Sequence, residues 1–100
     1  MILYNVTVKI DHEAHDEWLQ WMREVHVPEV MATGLFLEHR LAKVLLQDDT
    51  EGHTYSFQYT CKDMATMQKY MGSHAPALQA SHTARYKDKF VAFRTLLEVL

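Results

Sequence analysis

The sequence predicts one α+β domain whose strands and helical stretches follow in the order β-α-β-β-α-β. Three observations predict it. Four segments alternate apolar and polar residues with a period of two. Two intervening stretches repeat apolar residues at helical spacing. A short polar turn joins the middle two strands, whereas the other two connections are long enough for helical crossovers.

Residues 2–10 form the first strand, with Ile2, Tyr4, Val6, Val8 and Ile10 on one face and Leu3, Asn5, Thr7 and Lys9 on the other. Asp11 is the expected N-cap of the first helix, whose apolar stripe is Ala14, Trp18, Trp21, Met22 and Val25. Pro28 lacks an amide hydrogen. It breaks a continuing helix and suits the first turn of a new one, which Thr33-Gly34 ends. Residues 35–46 are the second strand, with Leu35, Leu37, Leu41 and Leu45 opposite Phe36, Glu38, Arg40, Ala42 and Val44. Residues 47–52 are a polar hairpin turn. The third strand, 53–61, sets Tyr55, Phe57, Tyr59 and Cys61 against Thr54, Ser56, Gln58 and Thr60. Asp63 caps the second helix, with Met64, Met67, Tyr70 and Met71 as its buried stripe, and Gly72-Ser73 breaks it. Pro76 opens a further helix carrying Leu78, His82 and Tyr86 at i, i+4 and i+8. Residues 90–100 are the fourth strand, its apolar side Val91, Phe93, Leu97 and Val99. His26-Val27-Pro28 and His74-Ala75-Pro76 occupy matching places in the two halves. Right-handed crossovers then give an antiparallel sheet in the order 4-1-3-2 with helices on one face, a single ferredoxin-like domain over residues 1–100.

A content of 48% hydrophobic and 23% charged residues fits a folded protein and is too apolar for disorder. A net charge of −3 argues against nucleic acid or an anionic membrane as partner, since both need a basic face. The lone Cys61 cannot close an intramolecular disulfide, the start carries no basic leader, and no apolar run is long enough for a bilayer. The expected setting is therefore the cytoplasm.

A chain this short buries only about two-thirds of its unfolded surface, so self-association would add stability. The sheet face away from the helices is expected to carry Asn5, Phe36, Arg40, Gln58 and Arg94, with Val44 and Leu96. This mixture of apolar and small polar residues suits sheet-on-sheet contact with a second copy, giving a homodimer. The alternative is a solvated, partly apolar face.

Trp18, Met22, Tyr55, Tyr59 and Tyr70 could line an apolar pocket for a small apolar or aromatic ligand, although such stripes are usually packing. His26 and His74 precede the two prolines. Each could reach into the gap between helix and sheet, or bond a backbone group freed by the helix break. His82 shares its helix face with Leu78 and Tyr86 and is predicted to point inward. No catalytic residue can be assigned. There is no Gly-x-Ser-x-Gly, Cys61 has no evident base, and three glycines make no phosphate loop. No metal is expected, because His12 and His15 lie on a solvated first turn without a ligand motif. No cofactor is expected either. The element order is also that of RNA-recognition motifs, and residues 52–59 vaguely echo their third strand. That reading requires Tyr55, Phe57 and Tyr59 on the open face.

The opening Ile2-Leu3-Tyr4-Asn5-Val6-Thr7-Val8, Trp18 with His26-Val27-Pro28-Glu29-Val30, and Thr33-Gly34-Leu35-Phe36 carry a resemblance, as do Tyr55-Ser56-Phe57-Gln58-Tyr59, His74-Ala75-Pro76-Ala77-Leu78 and Phe90-Val91-Ala92-Phe93-Arg94-Thr95. Over its whole length the chain resembles the dimeric α/β-barrel superfamily and, within it, a bacterial family of small proteins without established activity. The resemblance implies pairing as a dimeric α/β barrel and a small-molecule cavity between sheet and helices. The superfamily includes cofactor-independent monooxygenases, haem-degrading enzymes, isomerases and plain binding proteins. A haem-degrading relative would place His82, Tyr70 and Asn5 in one site, but Tyr70 stands where a tryptophan is expected and Asn5 alternates away from Tyr4 and Val6.

Overall fold

The computed structural model describes residues 1–45 and 48–100. The end of the expected second strand at Leu46 and the start of the turn at Gln47 lie outside the described residues. β1 (Ile2–Asp11) runs through a 3-10 turn (His12–Ala14) into α1 (His15–Trp21), then a π turn (Met22–His26) and α2 (Val27–Ala32). β2 (Glu38–Lys43), β3 (Gly52–Cys61), α3 (Met64–Ser73), α4 (Ala75–Tyr86) and β4 (Phe90–Glu98) follow. The sheet is antiparallel in the order β2-β3-β1-β4. This is the ferredoxin-like arrangement that the alternation predicts.

Strand parity sorts the residues of β1 and β3 as expected. Tyr4 pairs with Tyr59, Val6 with Phe57 and Val8 with Tyr55. Tyr4, Val8, Ile10, Tyr55, Phe57 and Tyr59 are buried against the helices. Asn5, Thr7, Ser56 and Gln58 share the other face, where Gln58 donates to Ser56, Ser56 to the Asn5 carbonyl, and Asn5 to Thr7. The aromatic rings of β3 thus lie under the helical layer, and the stacking platform of an RNA-recognition sheet is not formed by them.

Two parities differ from expectation. β4 is reversed: Val6 pairs with Arg94 and Thr7 with Phe93. Arg94, Ala92 and Leu96 therefore lie on the helix side, and the more apolar set, Val91, Phe93 and Leu97, faces outward. Burial cannot decide the parity of an edge strand whose apolar side has no cover within its own chain. Phe36 is the second correction. Leu37 N–H donates to Thr60 O while Glu38 is the register partner of the same Thr60, so two residues oppose one, as in a β-bulge. The bulge flips the alternation, and Phe36 drops into the core against Tyr4, Tyr59 and Tyr70. Arg40 and Gln58 are register partners on the open face.

The helices depart from the sequence pattern in smaller ways. Asp11 ends β1, and its side chain makes no cap bond. Asp63 does cap α3: its Oδ1 accepts from Thr66 N–H at 2.8 Å and from the Thr66 hydroxyl. Pro28 does not interrupt the helical path. Val27 N–H reaches back five residues to Met22 O, and this wider turn gives room where the proline ring would crowd the Glu24 carbonyl. Val25, Met64 and Met71 lie at the exposed margin of their helices, whereas Trp18, Met22, Met67 and Tyr70 are buried.

Candidate functional site

Between the sheet and the helices lies a narrow cleft with two lobes. Tyr4, Tyr59, Tyr70 and Phe57 line the first, with Val30 and Leu78 from the helices. Val8, His82, Phe90 and Ala92 line the second. Val6, Met22, His26, Gln79 and Arg94 belong to both walls. Each lobe has a cavity volume of about 30 Å³, room for a water molecule or two.

The elements that set these groups in place are local. The π turn begins with Met22 and ends with His26, so both reach the cleft ahead of Pro28. π turns of this kind recur at functional sites because they re-aim side chains within a helix. α4 starts at its proline-bearing first turn and brings Gln79 and His82 to the cleft. β4 supplies Arg94, whose Nε donates to the Tyr4 hydroxyl at 3.2 Å.

His82 is buried and accepts a 2.9 Å hydrogen bond at Nε2 from the indole N–H of Trp18. An indole nitrogen can only donate, so His82 Nε2 carries no proton and the ring is neutral. Burial, helped by the charges of His26 and Arg94, pushes its pKa down to about 4. Burial and the Arg94 guanidinium likewise hold His26 down at about 4. His26 Nδ1 is buried and has no hydrogen-bond partner among the described residues. The bond to freed backbone that was one expectation for this side chain is thus not made at Nδ1. Trp21 packs on both imidazoles, with ring centroids 5.5 Å from His26 and 6.0 Å from His82. Burial raises the Tyr59 and Tyr70 hydroxyls, which stay protonated.

Of the candidates named from sequence, Met22, His26, Tyr59, Tyr70 and His82 come together at this cleft. Trp18 stands behind His82. Tyr55 lies at the far end of the sheet, where its hydroxyl and His15 Nε2 share a hydrogen bond of 2.7 Å. There His12, His15 and His53 pack ring to ring. His74 stacks on Tyr70 at 6.3 Å between α3 and α4. Asn5 is across the sheet from His82, so the three-residue haem arrangement is not assembled. Tyr4, Gln79 and Arg94 are cleft residues that the sequence reading missed. Arg94 was assigned to the open face, and nothing in the spacing around Gln79 distinguishes it from a solvated helix residue.

The open face has its own character. Around the Asn5–Ser56–Gln58 network stand Val91, Phe93 and Leu97, exposed at 68%, 63% and 46%. Phe93, Val91 and Val44 border a groove with Thr7 and Thr54.

A family described as a domain of unknown function, DUF4286, matches residues 1–100, and the chain belongs to it. No curated protein matches the sequence significantly. Among solved structures, HapK from Hahella chejuensis superposes with a TM-score of 0.71 at 14% identity, over all of this chain and 93% of that one. An antibiotic biosynthesis monooxygenase gives 0.68 at 20% identity, over 100% and 99%. A dimeric ferredoxin-like protein from an uncultured marine organism gives 0.69 at 16% identity, over 100% and 95%. Identities this low establish the shared fold.

Proposed function

Taking membership of that family as the premise, we propose that the chain is a homodimeric binding protein for a small, largely apolar molecule held in the helix–sheet cleft. One observation carries the reading: His26, Gln79 and Arg94 converge where two lobes of apolar and aromatic side chains meet. A few polar groups set in an apolar wall are what orient a small ligand. Met22, unbranched and flexible, lines both lobes, so its rotation is the simplest way to widen the cleft for an occupant.

The dimer is supported by the open face, where exposed Val91, Phe93 and Leu97 frame a small polar network. Sheet-on-sheet packing would bury all three. The fold shared with a dimeric ferredoxin-like protein points the same way. The acidic balance of the chain and the enclosed rings of β3 favour a small molecule over nucleic acid or membrane. The unpaired thiol of Cys61 suits a reducing cytoplasm.

A second reading, a cofactor-independent enzyme of the monooxygenase or isomerase kind, is favoured by His26. The imidazole of His26, neutral and with a buried Nδ1 that has no partner among the described residues, lines the space a ligand would fill, and in its Nε2–H tautomer this nitrogen would accept a proton. The fold shared with an antibiotic biosynthesis monooxygenase is compatible with this reading.

The test is a crystal structure of protein purified without stripping ligands, with native mass spectrometry of the same sample. The expected result is a dimer with density between Met22, His26 and Arg94. A cleft closed around water alone, together with a thermal-shift screen of small aromatics that moves nothing, would overturn the reading.

A further inference from the structure

The cleft contains one fixed charge, and it is unmatched. Among the described residues Arg94 is the only ionised side chain lining either lobe, and no carboxylate lines them. None of the ion pairs among the described residues includes it. Its Nε is engaged with the Tyr4 hydroxyl, which leaves both terminal amino groups of the guanidinium without a partner among those residues. His82 is held neutral by the indole N–H it accepts. Arg94 is exposed, so water hydrates its charge in the free protein, and its terminal amino groups beside the apolar wall are open to an anion from outside.

Resting on the reading of the cleft as a ligand site, we propose that its ligand is a small monocarboxylic acid. Its carboxylate sits on the Arg94 guanidinium beside the Tyr4 hydroxyl. Its apolar body lies between Val6, Met22 and Phe57. The planar guanidinium fork matches a carboxylate with two parallel hydrogen bonds, which a lysine could not supply. The Tyr4 hydroxyl, already accepting from Arg94, has its own proton free for the same oxygen. Each lobe holds only a water molecule or two as it stands, so a small body such as a branched four-carbon chain or a single ring enters only once Met22 has turned.

The experiment compares isovalerate, benzoate and phenylacetate with their matched neutral amides at pH 7.5. Binding is followed by two-dimensional NMR of the Arg94 Nε–H and the Gln79 side-chain amide, and by Trp21 fluorescence. At least one acid is expected to move these signals and to bind at least tenfold more tightly than its amide. Added salt should weaken the acid and leave the amide unchanged. In Arg94→Met the preference should vanish, and in Arg94→Lys it should fall but persist. Amides that move the same signals as strongly as the acids would overturn the carboxylate and leave the cleft as a ligand site. No movement with either class at millimolar concentration would overturn both.

Discussion

The indole N–H of Trp18 on α1 donates to Nε2 of His82 on α4 at 2.9 Å, joining the two halves of the helical layer through a buried bond. Trp18 is completely buried and its ring packs on Phe57 and Tyr55. Trp18→Phe keeps most of the ring and removes the donor. It should cost about 1–3 kcal/mol, because His82 Nε2 is left unsatisfied. Trp18→Ala should cost about 3–5 kcal/mol, since a cavity is added. Urea denaturation measures both, and an unchanged midpoint for the alanine variant would contradict the placement.

His26 and His82 predict acid sensitivity. Both have folded-state pKa values of about 4, below the usual 6.5. In the unfolded chain they take up protons near 6.5. The stability that depends on their neutrality is therefore complete above that pH and is lost as pH falls toward 4. The loss should be on the order of 3 kcal/mol for the first of the pair. His82→Gln should flatten the profile between pH 6.5 and 4. A wild-type stability that stays level across that window would refute the assignment.

Phe93 and Val91 test the open face. Wild-type protein should run as a dimer in light scattering at micromolar concentration. Phe93→Asp, which sets a charge at the expected contact, should run as a folded monomer with unchanged circular dichroism. A monomeric wild type would remove the dimer.

Gly52 is a steric prediction. A Cβ there would lie 2.2 Å from the Ile10 carbonyl oxygen across the β1–β3 pair. Both partners are backbone in a paired ladder, so Gly52→Ala should cost more than the roughly 1–3 kcal/mol of ordinary overpacking. Thermal unfolding reads it directly.

Asp63→Ala should cost about 1 kcal/mol through the lost cap on α3. Asp63→Asn, which keeps an accepting oxygen, should cost much less. Equal losses in the two variants would show that the Thr66 amide is not what the side chain serves.

The sequence made β1, β3 and the cap at Asp63 legible, because each depends on local alternation or on a side chain three residues from its target. It also made Met22, Tyr59, Tyr70 and His82 visible as inward groups, because helix and strand periodicity alone aim them, whereas His26 was marked only by its place ahead of Pro28, which left inward and backbone-bonded positions both open. Arg94 and Phe36 were misplaced for a shared reason. Each depends on register against a neighbouring strand, and register is a long-range property. The bulge at Leu37–Glu38 leaves no mark in composition. The outward apolar side of β4 misleads any rule that sends apolar residues to the chain's own core. Gln79 became visible only when α4 was set over the sheet.

On β4, consecutive residues serve opposite surfaces: Phe93 looks out and Arg94 looks in. A slip of this edge strand by one position along β1 would exchange them, setting a ring in the cleft and a cation on the outer face. On the proposed reading, occupancy of the cleft and grip on a twin subunit would both be tied to the seating of one strand. A displacement that disturbs either would be felt by the other.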